Sequence, residues 1–316
     1  MTLRLLITGG TGFLGKHVMN IMNKSEAYYT WAPSSKEIDV SNPACIDHLI
    51  EWKPDVILHM AAICGGILAN KNSPADFLHK NLDMASNIFH AAKAIDGIRV
   101  YTLGSVCSYP KYCPAPFQED NIWNGYPEET NAPYGVAKRV QLMFSQTYRQ
   151  QYGIKGAHLI PVNLYGEYDH FDLVNSHVIP ALIRKFDNAV TKNLPQVECW
   201  GTGDATREFL YAGDAAEALC KAVHDHLDTD LPINLGTGKN ISIKNLAFLI
   251  GDLVGYKGEV VFTGDVSDGQ PNRVLNVSRA QEVLGWAAKT DFKTGLLKTI
   301  NWYKTNKQSV IGAGAS

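Results

Sequence analysis

The 316-residue chain has no excess of charge of either sign: 29 Lys and Arg stand against 31 Asp and Glu, a formal net charge of −2. Without a basic field there is no electrostatic handle for nucleic acid, although local arginines can still grip an anionic small molecule. No apolar run approaches the roughly eighteen residues of a membrane-spanning helix, and Met1–Ile7 is too short and too weakly basic for a secretory signal. A soluble, cytoplasmic protein is expected, with no membrane or nucleic-acid partner. Cys45, Cys64, Cys107, Cys113, Cys199 and Cys220 form no Cys-x-x-Cys pair and no regular spacing, which argues against a zinc site and a disulfide framework. Most of them read as small buried hydrophobes. Internal repeats and low-complexity tracts are also missing.

What is present alternates. Leu3–Ile7 is a β-rich apolar run opening into glycines, and from Leu14 to Met22 the spacing turns helical. Tyr28–Trp31, Val56–Met60, Val100–Leu103 and Ala157–Pro161 read as strands, with helices at Pro43–Trp52, Ala85–Ala94 and Tyr134–Tyr152. Strands alternating with helices predict a parallel sheet covered on both faces. Between Tyr109 and Pro133, five prolines interrupt any period, which predicts a long functional loop over the active site. From Gly166 onward short helices such as Val178–Asn188 mix with strands such as Val260–Phe262, as in a smaller substrate-covering portion.

Thr8-Gly9-Gly10-Thr11-Gly12-Phe13-Leu14-Gly15 contains Gly-x-x-Gly-x-x-Gly. In a chain with 27 glycines the spacing alone is weak. Its position after a strand and at a helix start makes it a dinucleotide-binding turn, with bare backbone N–H groups for a pyrophosphate. The fold expected is therefore α/β, a Rossmann-type doubly wound parallel sheet over residues 1–165 with a returning segment near 205–238. Residues 166–316 form mainly the substrate-binding portion. At the end of the second strand, where NAD enzymes carry an acid, this chain reads Pro33-Ser34-Ser35-Lys36, which favours the 2′-phosphate of NADP(H), with NAD(H) as the second choice. Asp39 suits the adenine side, and Ala61-Ala62 would pass close to the cofactor.

Tyr-x-x-x-Lys occurs twice, as Tyr134/Lys138 and Tyr303/Lys307; with 14 tyrosines roughly one accidental match is expected. The second pair lies in a polar C-terminal stretch and reads as surface helix. Tyr134 opens a long helix and has Ser105 upstream at a strand end. A Lys138 ammonium four residues on would stabilise the phenolate, so that Tyr134 could protonate a carbonyl oxygen as hydride arrives, with Ser105 bonded to the same oxygen. Hydride transfer needs no thiol, yet Cys107 stands two residues past Ser105.

Together with Cys64-Gly-Gly-Ile-Leu-Ala-Asn70, Pro161-Val-Asn163-Leu164-Tyr-Gly166, Asn175-Ser-His177-Val-Ile-Pro180 and Trp200-Gly-Thr-Gly203 followed by Arg207-Glu-Phe209, these residues resemble the GDP-L-fucose synthases, epimerase-reductases of the extended short-chain dehydrogenase/reductase family. The resemblance implies epimerisation of GDP-4-keto-6-deoxy-mannose at C3 and C5, then reduction at C4 by NADPH. It makes Cys107 and His177 the acid/base pair beside Ser105, Tyr134 and Lys138. It adds Leu103, Gly104, Lys138, Pro161, Asn163, Leu164 and His177 as cofactor contacts. Lys185, Trp200, Arg207, Asp268 and Arg273 become substrate contacts, the basic ones on the pyrophosphate, and a homodimer is implied.

Thr11 and the Pro33-Ser34-Ser35 stretch stand where the bacterial pattern has arginines, Ile63 where a lysine is often found, and Lys185 and Arg273 each exchange one basic type for the other. These departures leave room for a related deoxy- or heptose derivative. A 4,6-dehydratase is disfavoured because Val106 and Cys107 occupy the positions of its acids. A 4-reductase without epimerisation and a non-catalytic dinucleotide sensor both stay compatible with the sequence.

Overall fold

The computed structural model describes residues 2–172, 176–264 and 270–312. The chain opens with β1 (Leu3–Thr8), α1 (Phe13–Met22), β2 (Tyr28–Trp31), α2 (Cys45–Trp52), β3 (Val56–His59), α3 (Ile67–Asn72), α4 (Pro74–Ala92) and β4 (Arg99–Leu103). It continues with α5 (Ala132–Tyr152), β5 (Lys155–Pro161), β6 (Asn163–Tyr165), α6 (Val178–Thr191), β7 (Gln196–Cys199), β8 (Thr206–Tyr211), α7 (Ala212–His224) and β9 (Ile233–Leu235). The remainder is β10 (Asn240–Ser242), α8 (Ile243–Val254), β11 (Glu259–Phe262), β12 (Asn272–Arg273), α9 (Ser278–Leu284) and α10 (Phe292–Gly312). No helix among the described residues is long and apolar enough to cross a membrane.

The main sheet is parallel throughout, in the order β2-β1-β3-β4-β5-β9. On β1, Leu5 and Ile7 enter one apolar cluster and Leu6 the other, so both faces are covered by helices. Each fully buried Leu or Ile of this kind contributes about 2 kcal/mol. Because β1 lies between β2 and β3, the strand order reverses there, and a ligand cleft is expected at the carboxyl ends of the strands. Thr8, His59, Thr102 and His158 stand in one cross-strand row at those ends, all at most 2% exposed.

Two smaller sheets, β10-β8-β12 with β6 on β8, and β11-β7, carry the rest, over a third apolar cluster that includes Phe186, Leu246 and Tyr303. The chain returns to the first layer through α7, whose Ala215, Ala216 and Leu219 share a cluster with Val18 of α1, and through β9. Glu208 on β8 is fully buried; its carboxylate accepts from Leu275 N and Gly238 N, each at 2.7 Å, and from Thr237 N. Those bonds pin the segment after β12 against β8.

Three local readings are corrected. The helix expected from Ala85 begins at Pro74, because Phe77 and Asn81 are buried despite the charged residues that blur the period. The stretch after Tyr109, expected as a loop over the active site, packs into the core: Tyr109, Phe117 and Ile122 are at most 1% exposed. The Asn234 side chain accepts from Tyr109 Oη at 2.7 Å and donates to Phe117 O and Asn276 O, each at 3.0 Å. Tyr303 is core, stacked on Phe171 with ring centroids 4.7 Å apart, and Lys307 pairs with Asp187 rather than forming part of a free surface pair.

Candidate active site

A cleft of about 1220 Å³ runs over the carboxyl ends of the main sheet and is also bordered by His177, Lys185, Trp200, Arg207 and Arg273. At one end, α1 starts without a side-chain cap and with no acid in its first turn, so its free N–H groups face the cleft as an anion cradle. An added Cβ on Gly15 would collide with the Gly9 carbonyl, so only glycine lets helix and turn close this tightly. Thr8, Gly9, Thr11, Gly12, Phe13, Leu14, Ala61 and Ala62 all border the cleft, whereas Gly10 turns away against Ala32.

The adenosine side differs from expectation. Ser35 and Asp39 border the cleft, but Ser34 and Lys36 do not. Glu37 folds back to accept from Ser34 N at 2.8 Å and Ser34 Oγ at 2.7 Å. Those two bonds hold the Glu37 carboxyl below its ordinary range. The local turn thus uses the Ser34 hydroxyl that was expected to meet a 2′-phosphate.

Leu103, Gly104, Ser105, Cys107, Tyr134, Lys138, Pro161, Asn163, Leu164 and His177 come together further along. Ser105 caps a 3-10 turn over Val106–Ser108 and accepts from Cys107 N at 3.2 Å, which fixes hydroxyl and thiol to one short piece of backbone. Tyr134 arrives on the first turn of α5, and the next residue, Gly135, backs directly onto that turn; an added Cβ would overlap the Cys107 carbonyl oxygen. Phenol, hydroxyl and thiol are thereby held at one spot by backbone contact.

The electrostatics there are those of a dry pocket. Burial, then the thiols of Cys64 and Cys107, push the Tyr134 phenol well above its ordinary range, with Ser105 the one group acting downward. A Lys138-stabilised phenolate is therefore not the resting form. The Lys138 ammonium lies 5.8 Å from the Tyr134 ring centroid and donates to Leu103 O at 2.8 Å and Gln141 Oε1 at 3.0 Å. Burial lowers its own pKa to about 8. Below it, His59 and His158 bond Thr8 Oγ1 and Thr102 Oγ1 at 2.7 and 2.8 Å. Burial, then the Lys138 charge, brings both imidazoles down to about 3, so they are neutral.

Two groups on the cleft wall touch solvent and yet sit in a protein-dominated surround. His177, the first residue before α6, is lowered by burial and then by His170. Cys64 is exposed within the cleft, and burial raises its thiol. Cys64 does not follow the small-hydrophobe reading that Cys45, Cys199 and Cys220 satisfy, and its place beside Tyr134 has no local signal.

On the substrate side, Lys185 Nζ stands 5.3 Å over the Trp200 ring and donates to Glu198 O at 2.7 Å. Arg207 borders the cleft and donates to Thr206 O and Gln270 O. Arg273 differs from its expected place on the pyrophosphate: its Nη1 lies 3.7 Å from Cys107 Sγ, and Asn131 Nδ2 lies 3.5 Å from the same sulfur. Asn131 and Gln270 were not anticipated, since neither belongs to a local motif. Asp268 lies outside the described residues.

A model of the NAD dependent epimerase/dehydratase family matches residues 5–236. The chain is 36% identical over 318 residues to the GDP-L-fucose synthase of Escherichia coli K12, covering 98% of this chain and 99% of that one. It is 36% identical over 309 residues to the GDP-L-colitose synthase of Yersinia pseudotuberculosis, covering 97% and 100%. Its fold matches a solved GDP-mannoheptose C4 reductase from Campylobacter jejuni with NADP bound, at TM-score 0.85 and 28% identity over 96% of this chain and 98% of that one. Glycine cradle, Ser-Tyr-Lys constellation and near full-length similarity lead to one conclusion: the chain belongs to the NAD dependent epimerase/dehydratase family.

Proposed function

We propose that the chain epimerises a GDP-4-keto-6-deoxy-hexose at C3 and C5 and reduces it at C4 with NADPH, giving GDP-L-fucose or a close relative. The observation that carries this reading is the shared backbone of Ser105 and Cys107, backed by Gly135, which sets a reducing phenol and a thiol around one position. A plain reductase has no use for the thiol there.

The chemistry follows from one ketone. C3 and C5 both lie α to the C4 carbonyl, so the same oxyanion forms when either proton leaves. Tyr134, protonated at rest, and Ser105 hold that oxygen. Cys107 on the 3-10 turn and His177 at the start of α6, both bordering the cleft, give inversion its two proton-transfer groups. NADPH supplies the hydride when bound, and the α1 cradle fits its pyrophosphate. Tyr134 then delivers its proton to the C4 oxygen, and the neighbouring Lys138, held on Leu103 O and Gln141, favours the phenolate left behind. Lys185, Trp200 and Arg207 take the GDP end. The reading includes a homodimer and a cytoplasmic location.

The test is incubation with GDP-4-keto-6-deoxy-mannose and NADPH in deuterated water. Deuterium at both C3 and C5 of a reduced product is expected. Reduction without deuterium would leave the 4-reductase reading, which the likeness to a heptose C4 reductase favours. No cofactor oxidation with this substrate would end the proposal.

A further inference from the structure

We propose that Gln270 is the positioning residue of the thiol half of the site, seating Arg273 against Cys107. The inference rests on the reading that Cys107 exchanges protons with the substrate. Gln270 is 4% exposed, and both its amide N–H groups and its amide oxygen have partners. Oε1 accepts from Arg273 Nε at 3.0 Å, while Nε2 donates to Pro110 O at 3.2 Å and Lys111 O at 2.8 Å. The opposite amide orientation would set N–H against a guanidinium and oxygen against two carbonyls, so the environment permits one orientation only.

That orientation has a consequence for sulfur. With Nε held, the planar guanidinium of Arg273 is fixed, and its Nη1 is left at 3.7 Å from Cys107 Sγ. Together with Asn131 Nδ2 at 3.5 Å, it holds the sulfur at one place on the cleft wall. The same glutamine reaches the backbone just beyond Cys107, at Pro110 and Lys111, so donor and thiol are referenced to one segment. Its main-chain carbonyl also accepts from Arg207 Nη1 at 2.6 Å, which joins the GDP end to the thiol end through a single residue. Anchoring alone does not account for it: Asn234 already holds Phe117 O and Asn276 O, and Glu208 holds Leu275 N.

Two half-reactions separate the thiol from the hydride chemistry. Solvent-deuterium uptake into GDP-4-keto-6-deoxy-mannose reports proton exchange, and oxidation of GDP-L-fucose by NADP⁺ reports hydride transfer alone. Gln270→Met is expected to slow uptake by about tenfold or more, from misplacement of Arg273, while oxidation stays within about twofold. Equal loss in both half-reactions, or no loss in either, would overturn the proposal. If the Met variant does not fold, Gln270→Asn, which keeps polarity but shortens the reach, replaces it under the same criteria. A wild type that oxidises GDP-L-fucose yet takes up no deuterium removes the epimerase reading, and this proposal with it. A wild type active in both assays with no split in the variants removes this proposal alone.

Discussion

The hydride corner and the thiol corner of the cleft touch, yet they are assembled in opposite ways. Ser105, Tyr134 and Lys138, with His59 and His158 beneath, all come from the first 165 residues and stand on two strands, the turn after β4 and one helix. Cys107 and Asn131 come from the same portion, but what faces their sulfur and fixes it, Arg273 and Gln270, comes from more than 130 residues downstream. The difference teaches that general hydride chemistry can be written in a local stretch of chain, whereas the added proton chemistry is completed only where two layers meet.

Tyr134→Phe should separate the corners most sharply, with reduction falling by about a thousandfold through loss of the acid while NADP⁺ binding is kept. Undiminished NADPH oxidation would remove Tyr134 from the hydride corner. Cys107→Ser should act on the other side, slowing deuterium uptake at C3 and C5 by about a hundredfold and leaving oxidation of GDP-L-fucose nearly intact. Uptake at the wild-type rate would mean that the thiol corner has no proton chemistry to distinguish.

The dryness of the hydride corner has its own signature in stability. His59 and His158 keep folded-state pKa values of about 3, below the ordinary 6.5, so the unfolded chain binds more protons as pH falls. Stability is then complete above about pH 6.5 and drains away toward pH 3, by about 2 kcal/mol per histidine at pH 5. Thermal melting from pH 7 to 5 should show the decline, and His158→Ser should flatten it; an unchanged slope would mean that this imidazole is not buried neutral. The smallest effect expected is in cofactor choice. With Ser34 engaged by Glu37 and Ser35 left at the cleft, NADPH should exceed NADH in kcat/KM by only about tenfold, ~1.4 kcal/mol. A preference for NADH would mean that this edge does not receive a 2′-phosphate.

Legibility in the sequence follows the same division. The glycine turn, the strand ends and the Tyr134 helix are signalled within a few residues, by alternation of period and by glycines where backbones must meet. The first turns of α4 were hidden because buried Asn81 reads as polar and Lys80 and Asp83 interrupt the apolar stripe. The proline-rich stretch leading into α5 reads as a loop over the site because the bonds that pack it, from Asn234 and Gln270, arrive from distant sequence. Cys64 and Arg273 illustrate the same limit from the side of the site: one sits beside the phenol and the other beside the thiol, and no spacing rule predicts either.

Gly135 gives the two corners a common clock. No side chain separates the first turn of α5 from the Cys107 carbonyl, so the phenol and the thiol cannot drift apart while a substrate waits between steps. On the proposed mechanism, the ketone oxygen stays on one phenol through proton exchange and hydride delivery alike. The reactive enolate is thus spent where it is formed, without release into water or a second docking event.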